Sequence, residues 1–278
     1  MIERKLEIGI SLSPDKSCFG PLFFAGDLER GLLNASRLGF NGVELSLREA
    51  DRLDRDSLCS SLGRLNLRVF AIATGQTYYS DGFSLFNDDA SLRRKAVERM
   101  KGHIELAAEL GSMVIIGGVR GTVQTADIER QEAIRNQGLQ AIAECVQYAE
   151  REGVTLLLEP INRYETNVVN TLEEGLELIR DIGSRHLRLL PDTFHMNIEE
   201  ASISKNIAAA GDAVGYVHFA DSNRLAPGWG HLDFKQVLSA LHGAGYAGPI
   251  GIEILPGPDD YASAAQAIRF VRELSECL

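Results

Sequence analysis

Short apolar segments recur along the chain, separated by longer stretches in which apolar residues return every three or four positions. Short apolar runs are typical of buried strands, whereas the longer spacing is typical of amphipathic helices. Eight segments fit a strand: 6–13, 42–47, 68–75, 113–119, 155–162, 187–194, 214–221 and 249–255. Most are continuously apolar, as expected for parallel strands that are covered on both faces.

The stretches between these segments fit helices. After Asp88 and Asp89, apolar residues continue at helical spacing as far as Ala108, and Gly111 follows. Glycine is common just past the end of a helix, so this pattern predicts a helix that ends before Gly111. Eight strand and helix units predict a (β/α)8 TIM barrel of the α/β class. No Ser/Pro-rich linker divides the chain, which predicts one barrel domain over residues 1–278.

A doubly wound sheet is the alternative fold. Such a sheet normally carries a glycine-rich phosphate-binding turn after its first strand. Here that turn reads SLSPDKSCFG, and the GGVRG stretch at 117–121 matches neither common nucleotide-binding motif. Nucleotide binding by either motif is therefore not expected.

The net charge of the chain indicates which classes of binding partner are unfavourable. The chain carries 28 Lys and Arg against 39 Asp and Glu, a net charge of -11, which disfavours nucleic-acid and membrane partners. The opening stretch MIERKLEIGISLS lacks an apolar signal core, which predicts a cytoplasmic protein. The cysteines show no CxxC spacing and are expected to be reduced: Cys18, Cys59, Cys145 and Cys277.

Each of the last four predicted strands carries one ionisable residue near its carboxyl end: Glu159, Asp192, His218 and Glu253. The active site of a TIM barrel lies at these ends. Charged groups at the end of an apolar strand are costly unless they are paired or bind a cation, and converging carboxylates repel one another. A divalent metal resolves both problems, and three oxygen ligands with one imidazole suit Mn²⁺, Mg²⁺, Co²⁺ or Zn²⁺.

Any one of these residues alone is more simply explained as half of a salt bridge or as a hydrogen-bonded core residue. The metal interpretation depends on the coincidence of one candidate on each of four successive strands. Glu44 in the second strand has no candidate beside it, so we expect it to form a structural pair. His195 and Arg224 lie just beyond strand ends, where they could reach a substrate; alternatively, Arg224 screens the acidic mouth.

Four stretches carry a family resemblance: EPINRYET (159–166), PDTFHMN (191–197), VHFADSNRLAPGWGH (217–231) and GIEILP (251–256). They resemble the sugar isomerase/epimerase superfamily of xylose isomerase-like barrels, in particular ketose 3-epimerases of the D-tagatose 3-epimerase type. Three more look closest to the branch that includes 5-keto-L-gluconate epimerase: FFAGDLERG (23–31), TGQTYYSDGFSL (74–85) and VIIGGVRG (114–121).

The resemblance implies a metal-dependent epimerase or isomerase of a keto-sugar or keto-sugar acid. It implies one divalent metal held by Glu159, Asp192, His218 and Glu253. Glu159 and Glu253 would also form the acid/base pair that deprotonates the carbon next to the carbonyl, through a cis-enediolate. Substrate contacts near the carbonyl are implied for His195, Arg224 and Glu165. Family members are often dimers or tetramers, so a homodimer or homotetramer is expected.

Three other functions remain open. Hydroxypyruvate isomerase would use the same chemistry on a smaller acid. An AP endonuclease-like zinc phosphodiesterase would need histidines at the ends of strands three and four, which read AIATG and IIGGV, and Asp-x-His where this chain has Trp229-Gly-His231. A sugar-binding barrel without turnover would not require two opposed glutamates.

Overall fold

Eight strands alternate with helices in the computed structural model, which describes residues 6–16 and 20–276. Each strand lies within a segment predicted from the sequence: β1 Ile8–Leu12, β2 Gly42–Ser46, β3 Arg68–Ala73, β4 Met113–Ile116, β5 Leu156–Leu158, β6 Leu187–Leu189, β7 Val217–Phe219 and β8 Ile250–Ile252. Cys18 and Cys277 lie outside the described residues, whereas Cys145 is buried and Cys59 is exposed.

The helices follow the strands in turn: α1 Leu28–Leu38, α2 Arg55–Leu65, α3 Gly75–Tyr79, α4 Ala90–Leu110, α5 Ile128–Glu152, α6 Leu172–Ile182, α7 Thr193–Glu199, α8 Ile203–Ala210, α9 Phe234–Gly243 and α10 Asp260–Ser275. The helix predicted before Gly111 is α4, and Gly111 ends it at a φ of 62° that favours glycine. Within residues 6–16 and 20–276, no helix is long and apolar enough to cross a bilayer.

The strands form one parallel sheet in the order β6-β5-β4-β3-β2-β1-β8-β7. Single parallel bridges between Leu189 and Val214 and between Asp192 and His218 join its two edges. The sheet is thereby closed into the predicted TIM barrel, and every strand directs its carboxyl end to one mouth. That residues 1–278 form a single domain stays a prediction.

Alternate residues of a regular strand face opposite sides. Val43 and Leu45 of β2 pack in the large core between strands and helices, whereas Gly42 and Glu44 face the barrel interior. A smaller apolar cluster fills that interior: Phe70, Ala71, Ile115, Leu157, Leu190 and Tyr216. The interior is therefore packed below the mouth, and polar chemistry is confined to the layers above it.

Strands β5 to β8 have three residues each, fewer than their predicted segments. After β5 and β6 the ladder continues for one or two bonds, through the backbone N–H groups of Glu159 and Leu190, and then meets Pro160 and Pro191. Proline has no N–H to donate, so the bonds from β5 to β4 and from β6 to β5 end there, whereas the carbonyl of Pro191 still accepts from the backbone N–H of His218 at 2.9 Å. Glu159 consequently lies directly past its strand, in the mouth.

Candidate active site at the barrel mouth

The four predicted ligand residues come together at the mouth. One oxygen or nitrogen from each lies within 4.8 Å of the others: Glu159, Asp192, His218 and Glu253. Nδ1 of His218 lies 3.3 Å from Oε2 of Glu253 and 3.4 Å from Oε1 of Glu159. Residues separated by up to 94 positions in the sequence therefore share one small space because their strands end at the same mouth.

Two buried atoms of this cluster lack a hydrogen-bond partner: Oε1 of Glu159 and Nδ1 of His218. Buried polar atoms are nearly always satisfied, and an unsatisfied one costs free energy. A carboxylate oxygen and an imidazole nitrogen are both atom types that bind metals, and these two face each other across 3.4 Å. The donor set of carboxylate oxygens and one imidazole fits a divalent cation.

Helix α7 orients Asp192. Oδ1 of Asp192 accepts a hydrogen bond from the backbone N–H of Phe194 at 2.8 Å, as the side chain of a helix N-cap does. Its Oδ2 accepts from Nη1 of Arg224 at 2.8 Å and lies 3.9 Å from Nδ1 of His218. Both oxygens of this fully buried carboxylate are thus held in place by the fold.

Burial and mutual repulsion shift the acids in different directions. Burial, reinforced by the charge of Glu253, raises the pKa of Glu159 to about 7. Burial likewise raises the pKa of Asp192 to about 6, against the opposing effect of Arg224. For Glu253 burial also favours the neutral form, but the positive charges of His218 and Arg224 prevail and lower its pKa to about 2. Burial thus favours the neutral forms of Glu159 and Asp192, whereas the neighbouring positive charges keep Glu253 ionised.

Arg224 bridges two of the predicted ligands. Its Nη1 donates to Asp192 and its Nη2 donates to Oε2 of Glu253. The backbone of Arg224 has a φ of 62°, and its N–H donates to the carbonyl of Asp221 at 2.8 Å. The guanidinium also lies 4.7 Å from the ring centroid of Phe194. These contacts match the alternative in which Arg224 screens the charge of the acidic mouth. Contact between Arg224 and a substrate stays a prediction.

His195 lies beside this group and is nearly fully buried. Burial, together with the charge of Arg224, lowers the pKa of His195 well below its usual value, which keeps the ring neutral. Its Nδ1 accepts from the side-chain amide of Asn162 at 2.8 Å and from the backbone N–H of Asn162 at 3.4 Å, so a neutral ring carries its proton on Nε2. That nitrogen lies 3.5 Å from Nη1 of Arg224 and 3.7 Å from Oδ2 of Asp192. The side-chain amide of Asn162 also donates to Oε1 of Glu165 at 2.8 Å. Sequence reasoning missed Asn162, although this polar residue closes the predicted strand segment 155–162 and follows Glu159 by three positions.

The other nitrogen of His218 meets Glu44. Nε2 of His218 and Oε2 of Glu44 are 2.7 Å apart, and both side chains are 1% exposed. Oε1 of Glu44 accepts from Ser11 Oγ at 3.2 Å. Burial would lower the pKa of His218, but the carboxylates of Glu44 and Glu253 raise it well above its usual value. The expected structural pair of Glu44 thus exists, and its partner is a candidate metal ligand.

Among the described residues, uncharged side chains lie where β1, β2 and β3 end, on the opposite side of the mouth. Ser13 and Ser46 lie two positions beyond Ser11 and Glu44 on the same strand faces, so they point into the mouth. Gln76 joins them: its Nε2 donates to Ser13 Oγ and to the carbonyl of Ser46, both at 2.9 Å. All three residues are buried.

Gly117 ends strand four next to the acidic cluster. A Cβ at this position would lie 2.3 Å from Oε2 of Glu159, so any side chain would displace that carboxylate. His231 is exposed and its Nδ1 pairs with Ser222 Oγ at 2.8 Å. A histidine ligand at the end of strand four, as in a zinc phosphodiesterase, would therefore collide with Glu159, and His231 already pairs with Ser222.

The family described as xylose isomerase-like TIM barrel matches residues 32–274. The chain belongs to this family. It is 34% identical to L-ribulose 3-epimerase of Mesorhizobium japonicum over 82% of this chain and 75% of that protein. It is 36% identical to D-psicose 3-epimerase of Agrobacterium fabrum over 78% of this chain and 76% of that protein.

Solved structures agree with this family membership. D-allulose 3-epimerase from Methylomonas sp. has a TM-score of 0.81 at 27% identity, covering 98% of both chains. A structure of L-ribulose 3-epimerase has a TM-score of 0.81 at 29% identity, covering 98% of this chain and 95% of that one. The predicted barrel fold is confirmed, and so is the predicted class of enzyme, an epimerase or isomerase.

Proposed function

We propose that this chain is a divalent-metal-dependent ketose 3-epimerase. The observation that carries the proposal is the convergence of four ligand atoms, two of them buried without a hydrogen-bond partner, at the mouth of the barrel. Relatives named as L-ribulose and D-psicose 3-epimerases support the ketose substrate. The residues proposed to hold one Mn²⁺, Mg²⁺, Co²⁺ or Zn²⁺ are Glu159, Asp192, His218 and Glu253.

Two of the ligands are glutamates, which suits proton transfer. A bound divalent cation would polarise the substrate carbonyl and the neighbouring hydroxyl, making the proton on the hydroxyl-bearing carbon acidic. One glutamate, Glu159 or Glu253, removes this proton to give a cis-enediolate of the substrate. The other returns a proton on the opposite face, which inverts that carbon.

Neighbouring side chains are proposed to bind the carbonyl end of the substrate. His195 is neutral and carries its proton on Nε2, so it can donate a hydrogen bond to a substrate oxygen. Glu165 is partly exposed beside it and can accept from a hydroxyl. Arg224 keeps Asp192 and Glu253 in place and directs a positive charge toward the same space.

The uncharged side of the mouth favours a neutral ketose over a keto-sugar acid or a sugar phosphate. Ser13, Ser46 and Gln76 offer hydrogen bonds but no charge. The two arginines beyond this side, Arg48 and Arg99, already pair with Asp81. Among Ser13, Ser46 and Gln76 there is no charged donor, so an anionic group desolvated against these three side chains would lack compensation from them, which is costly.

Solvent-deuterium exchange tests the proposal. The Mn²⁺-loaded protein is incubated in D₂O with L-ribulose, D-psicose, a ketose phosphate, a keto-hexonate and hydroxypyruvate, and each compound is followed by proton NMR. We expect loss of the proton signal next to the carbonyl and appearance of the 3-epimer with the neutral ketoses.

Other outcomes would redirect or remove the proposal. Formation of an aldose would indicate an isomerase, and exchange only with hydroxypyruvate or a keto-hexonate would overturn the neutral ketose. If Mn²⁺ binds and no compound exchanges, the proton-transfer reaction is wrong for this panel, and cleavage of abasic DNA is then tested. The predicted homodimer or homotetramer is checked by light scattering on the same sample.

A further inference from the structure

Glu44 reaches His218 across the barrel interior. It lies on β2, which is separated from β7 in the sheet by β1 and β8. Its Oε2 is nevertheless 2.7 Å from Nε2 of His218, and both side chains are buried to 1% exposure. The contact therefore spans the barrel rather than joining neighbouring strands.

This contact determines which nitrogen of His218 is available. An ionised carboxylate accepts hydrogen bonds only, so Nε2 must carry the proton that it donates to Glu44. The lone pair of a neutral ring then belongs to Nδ1, the atom that faces Glu159 and Glu253 at 3.4 and 3.3 Å. Histidine ligands of metals commonly donate their other N–H to a carboxylate in this way.

The surroundings hold both members of the pair. Ser11 lies directly opposite Glu44 in the register of β1 and β2, and its Oγ donates to Oε1 of Glu44 at 3.2 Å. The ring of Tyr216 packs edge-on against His218 at 5.4 Å between centroids. Gly251 leaves room for the imidazole, because a Cβ there would lie 3.0 Å from its Cδ2.

We propose that Glu44 is a positioning residue of the metal site, which orients His218 and fixes the tautomer that presents Nδ1 to a divalent cation. This inference rests on the proposed metal site. Glu44 itself touches neither the reacting carbons nor the cation, and it acts only through His218.

Calorimetric titration with Mn²⁺ tests this role without any turnover. Loss of a carboxylate that orients a histidine ligand typically weakens metal binding about 10- to 100-fold, which we expect for Glu44→Leu. Glu44→Gln keeps an oxygen that can accept from Nε2, so its loss of affinity is expected to be smaller. Glu49→Gln is the matched control, because Glu49 follows the same strand but pairs with Arg99, 2.8 Å away. The Mn²⁺ affinity of this variant should equal that of the wild type.

A second readout reports the tautomer itself. In ¹⁵N-labelled protein loaded with diamagnetic Mg²⁺, long-range ¹⁵N–¹H spectra should show the proton of His218 on Nε2. Ser11→Ala removes a single hydrogen bond to Glu44, so it keeps the experiment informative if Glu44→Leu does not fold; its affinity should fall by less than about tenfold.

The outcomes separate the two proposals. Wild-type affinity in Glu44→Leu, or a proton on Nδ1 in the Mg²⁺-loaded wild type, overturns the role of Glu44 and leaves the proposed metal site standing. If the wild-type protein binds none of the four candidate metals, the proposed function fails and this inference fails with it.

Discussion

The barrel mouth carries ionisable side chains where β5 to β8 end and uncharged ones where β1 to β3 end. On the first side, Glu159, Asp192 and Glu253 surround His218 within a few ångströms. On the other side, Gln76 joins Ser13 and Ser46 by neutral hydrogen bonds of 2.9 to 3.2 Å. Apart from the partly exposed Glu253, both sides are buried, so the difference lies mainly in charge rather than in exposure.

This difference separates two tasks. Buried charges are costly, and they persist where a reaction or a cation uses them. Buried neutral groups that satisfy one another cost little and hold the shape of a pocket. We therefore expect changes on the charged side to affect the reaction and changes on the uncharged side to affect substrate binding.

The largest effect is expected from the two glutamates. Glu159→Gln and Glu253→Gln keep the side-chain shape but remove a base, so the rate of deuterium exchange should fall by at least about 10² to 10⁴-fold. Ser46→Ala, on the uncharged side, is the control and should stay within about tenfold of the wild type. An equal loss in Ser46→Ala would remove the distinction between the two sides.

An intermediate effect is expected from Gln76→Ala. The change leaves Ser13 Oγ and the carbonyl of Ser46 without their donor, which should lower the free energy of unfolding by about 1–3 kcal/mol. KM should rise more than kcat falls, because this side moves no proton. Urea denaturation and steady-state kinetics measure both.

Gln124→Ala provides the control for that substitution, since Gln124 is exposed and donates to Thr122 Oγ1 beyond the uncharged side. It should change neither stability nor KM appreciably. A fall in kcat for Gln76→Ala as deep as that of Glu159→Gln would place Gln76 in the chemistry and contradict the comparison.

The smallest effect is expected at the rim of the uncharged side, where Asp81 accepts from Arg48 Nε at 2.8 Å and Arg99 Nη1 at 3.0 Å. Burial would raise the pKa of Asp81, but these two arginines lower it. Such a carboxylate stabilises the fold above its unfolded pKa of about 4, and this contribution is lost as the pH falls through that value toward the folded pKa.

Asp81→Asn should therefore cost up to about 1 kcal/mol at pH 7. Its free energy of unfolding should also fall less steeply than that of the wild type between about pH 5 and pH 2. Urea denaturation at a series of pH values measures both slopes, while Mn²⁺ affinity at pH 7 should not change. Parallel slopes would show that the ion pairs of Asp81 do not contribute.

The pattern of apolar residues was sufficient to place all eight strands and helix α4, because strand and helix periodicity are local properties of a sequence. The ends of β5 and β6 could not be placed from this pattern. Pro160 and Pro191 are visible in the sequence, but the predicted segments 155–162 and 187–194 run past them, because apolar residues occur on both sides of each proline.

The apolar pattern predicted the barrel, and Glu159, Asp192, His218 and Glu253 could be singled out because each is an ionisable residue near the end of a predicted strand. Their hydrogen-bond partners could be found only in the folded chain. Glu44 and His218 are 174 positions apart, and Arg224 finds Asp192 and Glu253 through a left-handed turn in a loop. Such contacts depend on strand register and barrel closure, which no local pattern of residues encodes.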